Sequence, residues 1–224
     1  MLKHLHGQGH THDHHLDSPG SMQGWGKNYD MLVGLLSFGQ EKKLRQATLA
    51  LARVQPGERI LEVGCGTGTL SLAAKGQTGP AGEVTGIDVA SDMLEAARRK
   101  AEKAGLQVQF QLGRIEEIPF PDGQFDLVLS SLMLHHVHGD EAKQQGLKEI
   151  YRVLKPGGRV LIVDATQPQN PHLRGIASLI VGPEMLAHNV EEFIPLLTKA
   201  GFDAIQSGPT SSSFLGYLSG QKPL

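Results

Sequence analysis

At 224 residues and 39% hydrophobic content, the chain is long enough to bury one sizeable core. Its 21 basic and 23 acidic residues leave a net charge of −2, which offers no basic surface for nucleic acid. No apolar run reaches the roughly 18 residues of a spanning helix, and the His-rich start lacks the apolar stretch of a signal peptide. The single cysteine, Cys65, excludes an internal disulfide and suits a reducing cytoplasm.

Residues 1–20 form a His/Gly/Asp tail with almost no apolar content. His4, His6, His10, His12, His14 and His15 lie there, more than half of the 11 histidines, together with Asp13 and Asp17. In an extended chain, His-x-His spacing places alternate imidazoles on one side, where they are able to share a Zn, Ni or Cu ion. The interruptions differ from the unbroken run of a purification tag. A solvated tail that takes up metal only adventitiously fits the same composition, and both readings stand. Residues 21–54 form an N-terminal helical segment. Met31, Leu35, Leu44, Leu49 and Leu51 recur there at helical spacing, with a break near Ser37-Phe38-Gly39.

Residues 55–224 form the core, in which strand and helix patterns alternate up to about Asn170, the signature of a parallel α/β sheet. Strands are expected at Arg59–Val63, Glu83–Asp88, Val108–Leu112, Phe125–Ser130 and Arg159–Ala165. Helices are expected at Thr69–Gly76, Asp92–Ala104 and Asp140–Leu154, with Ser91 or Asp92 as the cap of the second. An insert rich in Pro and Gly follows at Pro168–Met185. A helix at Val190–Ala200 is closed by Gly201, and two short strands near Ala204–Ser207 and Ser213–Leu218 complete the sheet.

The first strand carries the most specific signal. Ile60-Leu61-Glu62-Val63 runs into Gly64-Cys65-Gly66-Thr67-Gly68, three glycines at alternate positions after one acid. Glycines so spaced let the backbone pass close under a ligand. The dinucleotide fingerprint needs a glycine where Thr69 stands, so the dehydrogenase reading is weakened. Glu62 would also repel a pyrophosphate, whereas an amine or sulfonium cation would be attracted. Cys65 reads as a small space-filler of the loop, without the base or the exposure that a nucleophile needs.

This segment resembles the first motif of the class I S-adenosylmethionine (SAM) dependent methyltransferases. Three later segments are similar to that family in the same order: Val84-Thr85-Gly86-Ile87-Asp88, Phe125-Asp126-Leu127-Val128-Leu129-Ser130, and Tyr151 to Gly158. The resemblance runs from about Gln40 to Gln221. It implies a Rossmann-like, doubly wound, mostly parallel seven-stranded sheet with an antiparallel C-terminal strand. It implies SAM as cofactor, Glu62 and the loop Gly64, Cys65, Gly66 and Gly68 at the methionyl end, and Asp88 at the ribose hydroxyls. Val89 and Met93 would flank adenine, with ordinary apolar packing as the other reading of both. Gly113, Arg114 and Ser130 would border the cofactor. Arg114 departs from the family, which has Asp after the third strand. A backbone carbonyl reads adenine instead, or Glu116 does, or the arginine faces solvent.

Ser130 to His138 follows the fourth strand, beyond the carboxyl ends where open α/β sheets bind ligands. His135 or His136 there is a candidate general base, or else orients the loop; His138 reads as a solvent-facing neighbour of the next helix. Trp25 and Tyr29 precede the first helix, and Tyr29-Asp30 with the following Leu-Leu-Ser-x-Gly looks similar to the ubiquinone/menaquinone C-methyltransferase branch. Tyr29 is a second catalytic candidate, as lid, donor or π partner of a sulfonium, or is a plain anchor. The leading expectation is a cytoplasmic methyltransferase of a small-molecule acceptor. The alternative is a metal-binding or sensing protein that keeps a SAM pocket.

Overall fold

The computed structural model describes residues 41–166, 189–212 and 214–224. Five α-helices are present among them: α1 (Glu41–Ala52), α2 (Thr69–Thr78), α3 (Ser91–Ala104), α4 (Asp140–Val153) and α5 (Ile194–Ala200). The strands are β1 (Arg59–Val63), β2 (Glu83–Asp88), β3 (Gln109–Leu112), β4 (Phe125–Ser131), β5 (Leu154–Ala165), β6 (Asp203–Pro209) and β7 (Leu215–Gln221). They form one seven-stranded sheet in the order β3-β2-β1-β4-β5-β7-β6. All neighbours pair in parallel except β7, which runs antiparallel to both β5 and β6. The expected Rossmann-like fold class is the one observed.

The central strands are apolar on both faces because helices cover both faces. In β1, Leu61 and Val63 enter a core with Leu147, Ile150 and Val153 of α4 and Leu197 of α5. Ile60 points the other way, to Leu49 of α1 and Leu70 and Ala74 of α2. A smaller cluster joins Cys65 to Leu94, Ala97 and Ala101 of α3 and to Phe110 of β3. Glu62 shares the face of Ile60, and Asp164 in β5 shares the face of Val160 and Ile162, by the two-residue period of strands.

Several local expectations need correction. Neither Ser91 nor Asp92 caps α3. Ala90 is the cap residue, without a side-chain bond, and the carboxylate of Asp88 accepts its N–H at 2.9 Å. β5 begins at Leu154 and not at Arg159, because Leu154 already pairs with Phe125, and the ladder resumes at Arg159 opposite Leu127 after an irregularity that skips residues 155–158. The helix expected over Val190–Ala200 opens with a 3-10 turn at Val190–Phe193 before α5. Gly201 closes it in the left-handed region as expected, at φ 104°.

Chain order reverses between β1 and β4, which lie side by side, Val63 opposite Ser130. Such a reversal opens a crevice at the carboxyl ends of the strands. The glycine loop leaves β1 there, and the His135 segment leaves β4 there.

Candidate active site

The three loop glycines all adopt left-handed conformations, with φ 70° at Gly64, 51° at Gly66 and 74° at Gly68. They do not share one role. A Cβ at Gly64 would fall 2.2 Å from Cγ of Met133, and one at Gly68 would fall 2.7 Å from Phe110 and 2.9 Å from Ala97. Those two glycines admit protein side chains. Gly66 alone of the three faces open space, with nothing within 4 Å of a built Cβ.

Two carboxylates bracket this loop. Glu62 is 2% exposed and accepts a hydrogen bond from the hydroxyl of Ser71 in α2. Burial pushes its carboxyl up to about 7, partly offset by Ser71 and by the charge of Arg45. Asp88 ends β2 and accepts the N–H of Gly66 at 2.8 Å on one oxygen and that of Ala90 at 2.9 Å on the other. Burial raises it as well, against the lowering effect of these N–H groups. The same burial, reinforced by Glu62 and Asp88, drives the Cys65 thiol far up. A thiol held protonated and covered is no nucleophile. Negative charge here, close to an open glycine, favours a cationic ligand over a phosphate.

The remaining expected residues fall around the same edge. Val89 and Leu112 are 67% and 58% exposed, large apolar side chains at the ends of β2 and β3. Met93 is 3% exposed, covered within α3, so it is Val89 that presents apolar surface. Gly113 and Arg114 line an open depression of about 740 Å³ with Leu112, Ile118 and Phe120. Arg114 is half exposed and lies 3.6 Å from Glu116. The hydroxyl of Ser130 is buried without a hydrogen-bond partner among the described residues, as is that of Ser131 beside it. Buried polar groups normally find partners.

Beyond β4, Leu132 takes φ 55°, unusual for a residue with a branched side chain, and its N–H bonds to the carbonyl of Val163 at 2.8 Å. The turn sends Leu134–His136 into a 3-10 turn. Met133 packs against Gly64, and His135 swings toward β5. Its Nδ1 lies 2.6 Å from Oδ1 of Asp164, and its backbone N–H reaches Oδ2 of the same carboxylate at 3.3 Å. Asp164 also accepts the N–H of Ala165 at 2.7 Å and is 1% exposed. His136 is exposed beside it, ring centroids 3.9 Å apart, and His138 is exposed as expected. Tyr29, Trp25, the Pro168–Met185 insert and the metal candidates His4, His6, His10, His12, His14 and His15 lie outside the described residues.

Residues 60–158 match the methyltransferase domain family. The demethylmenaquinone methyltransferase of Listeria welshimeri is 40% identical over 145 residues, 64% of this chain and 60% of that protein. That of Symbiobacterium thermophilum is 37% identical over 150 residues, 66% and 59% of the two chains. A SAM dependent methyltransferase from Aquifex aeolicus superposes with a TM-score of 0.66 at 22% identity, covering 85% of this chain and 97% of that one. The chain is thus similar, over residues 60–158, to a methyltransferase domain. It spans about three fifths of the length of the two curated relatives. The fold alone does not define the reaction. The [4+2]-cyclase SpnF superposes at 0.69 with 20% identity, over 89% of this chain and 95% of that one.

Sequence reading passed over Asp164 and Ser71. Asp164 carried a usable signal, an acid ending the apolar run Val160-Leu161-Ile162-Val163 just as Asp88 ends β2. Ser71 carried none, since a serine in an amphipathic helix is commonplace. Among the described residues no group of three or more His, Cys, Asp and Glu is arranged to hold a metal. No helix among them is long and apolar enough to cross a membrane.

Proposed function

We propose that the chain binds SAM over the carboxyl ends of β1, β2 and β4 and transfers its methyl group to a small aromatic acceptor of the hydroquinone class. The observation that carries the cofactor half is the pair of acids, Glu62 and Asp88, bracketing the one loop glycine that opens on free space. SAM carries an amine and a sulfonium, and both suit that charge. Asp88 has lone pairs beyond those engaged by Gly66 and Ala90 and is suited to accept ribose hydroxyls. Val89 and Leu112 offer apolar faces for adenine, and Ser130 has a hydroxyl to give. When bound, SAM supplies an electrophilic methyl carbon; the chain then has to hold the acceptor in line and keep water away.

The acceptor class is supported by the demethylmenaquinone methyltransferases at 37–40% identity. The metal-sensing alternative has no support among the described residues, and Thr69 and Glu62 speak against a dinucleotide.

Calorimetry with SAM and a transfer assay with labelled SAM test the reading. Asp88→Ala removes the acceptor for two hydroxyls, each worth roughly 1.5–3 kcal/mol before water compensates. Affinity should fall at least about tenfold. Equal SAM affinity in Asp88→Ala and the native chain would remove the ribose assignment. Absence of transfer to any phenol or hydroquinol would remove the acceptor class.

A further inference from the structure

We propose that Asp164 is a positioning residue that fixes His135 as the proton acceptor of the transfer, an inference that rests on the reading above. An acid 1% exposed in a central strand costs stability unless it is paired. Its hydrogen bonds converge on one task. Oδ1 meets Nδ1 of His135 at 2.6 Å, Oδ2 meets the His135 N–H at 3.3 Å, and Oδ1 is steadied by the Ala165 N–H at 2.7 Å. The two residues stand 29 positions apart. They meet because Leu132 bends the chain at φ 55° directly after β4. Strain of that kind in a bulky residue collects where a site needs a particular geometry.

A carboxylate on Nδ1 keeps the hydrogen on that nitrogen and leaves Nε2 as the basic atom, the division of labour seen whenever an acid orients a general base. His135 is 11% exposed at the crevice edge, two residues after the Met133 side chain that packs on Gly64. Among the described residues, the imidazole of His136, from the same turn, faces it.

The acceptor's O–H bond breaks, its proton passing to Nε2 and its electron pair staying on oxygen. That pair, on the oxygen or delocalised to a ring carbon, bonds to the methyl carbon. The carbon–sulfur bond breaks with its electrons on sulfur. Where carbon accepts, its own hydrogen moves to the oxygen, so either route yields one proton, which His135 passes to water. A neutral hydroxyl is a poor nucleophile, and a positioned base contributes about 10²–10⁴-fold.

The test uses the full chain. Long-range ¹⁵N–¹H NMR of the native protein should find His135 with its hydrogen on Nδ1, with or without the demethylated cofactor bound. Asp164→Asn should shift that tautomer and lower kcat about 10²-fold or more, with KM and SAM affinity changed by less than about threefold. Asp164→Glu should restore part of the rate and of the tautomer, and thermal melting verifies that each variant is folded. A hydrogen on Nε2 in the native protein would overturn the role of Asp164. So would a folded Asp164→Asn with native tautomer and native kcat. Complete absence of turnover by a native protein with the Nδ1–H tautomer would instead overturn the methyl-transfer reading.

Discussion

Glu62 shows what the site costs before any ligand arrives. Its carboxyl is 2% exposed and burial lifts it from 4.5 to about 7. Between those values the folded chain holds a proton that the unfolded chain has lost, so stability falls as pH rises through that window. At about 1.36 kcal/mol for each pKa unit, the charged form costs the ligand-free fold roughly 3 kcal/mol above pH 7. Glu62→Gln keeps an oxygen for the Ser71 hydroxyl and removes the charge. Relative to the native chain, the variant should gain roughly 1–3 kcal/mol between pH 5 and pH 8 in urea unfolding, and bind SAM more weakly at pH 8. Parallel stability profiles for the two proteins would show that Glu62 titrates normally. The glycines teach a related lesson. Three alternate glycines look alike in the sequence, and that Gly64 and Gly68 make room for Met133, Phe110 and Ala97 is revealed only by the packed fold.

Elements were legible in proportion to how locally they are determined. β1 and β2 match their expected limits, because each is an apolar run buried on both faces and ended by a glycine or an acid. β6 is mostly exposed, and its pairing with β7 shifts register between Asp203 and Gln206, so alternation could not fix its ends. The early start of β5 hides behind Pro156-Gly157-Gly158, which reads as a turn but is an irregularity within the strand, skipped by the ladder to β4, with Gly157 at φ 76°. The His135–Asp164 pair was half visible: His135 stood out, whereas its partner depends on β4 and β5 lying side by side. Packing between elements also overrides propensity in α4. Gly146 lies in the middle of that helix, where alanine is favoured by about 1 kcal/mol. A Cβ there would meet Cγ1 of Ile115 at 2.7 Å and Cδ1 at 2.9 Å. Ile115 is 5% exposed and β-branched, so it has little freedom to move. Gly146→Ala should therefore destabilise the protein, by about 1–2 kcal/mol net; a stabilised variant would mean that the loop carrying Ile115 yields.

At the scale of the molecule, the strand order decides where chemistry is possible. Parallel β1 and β4 meet at the reversal of chain order, and the loops after β1 and β4 and the end of β2 carry Gly66, His135 and Asp88 to one edge. The sequence already implied this, because four motifs in order specify the winding, and a right-handed crossover leaves little choice of topology. The His-rich tail enters none of that reasoning. Its residues 1–17 contain six histidines and little apolar surface to join a core, while the described residues hold no metal cluster of their own. Uptake of Ni²⁺ or Cu²⁺ by the full chain, followed by mass spectrometry, should thus disappear on deletion of residues 1–17. SAM binding should survive the deletion. At a hundredfold excess over its Kd, a ligand specific for the folded state adds about 2.7 kcal/mol, a melting shift of roughly 5–10 °C for a chain of this size. Both proteins should show that shift equally. Equal metal uptake by the two would place the ion elsewhere, and a smaller SAM shift after truncation would make the tail part of the pocket.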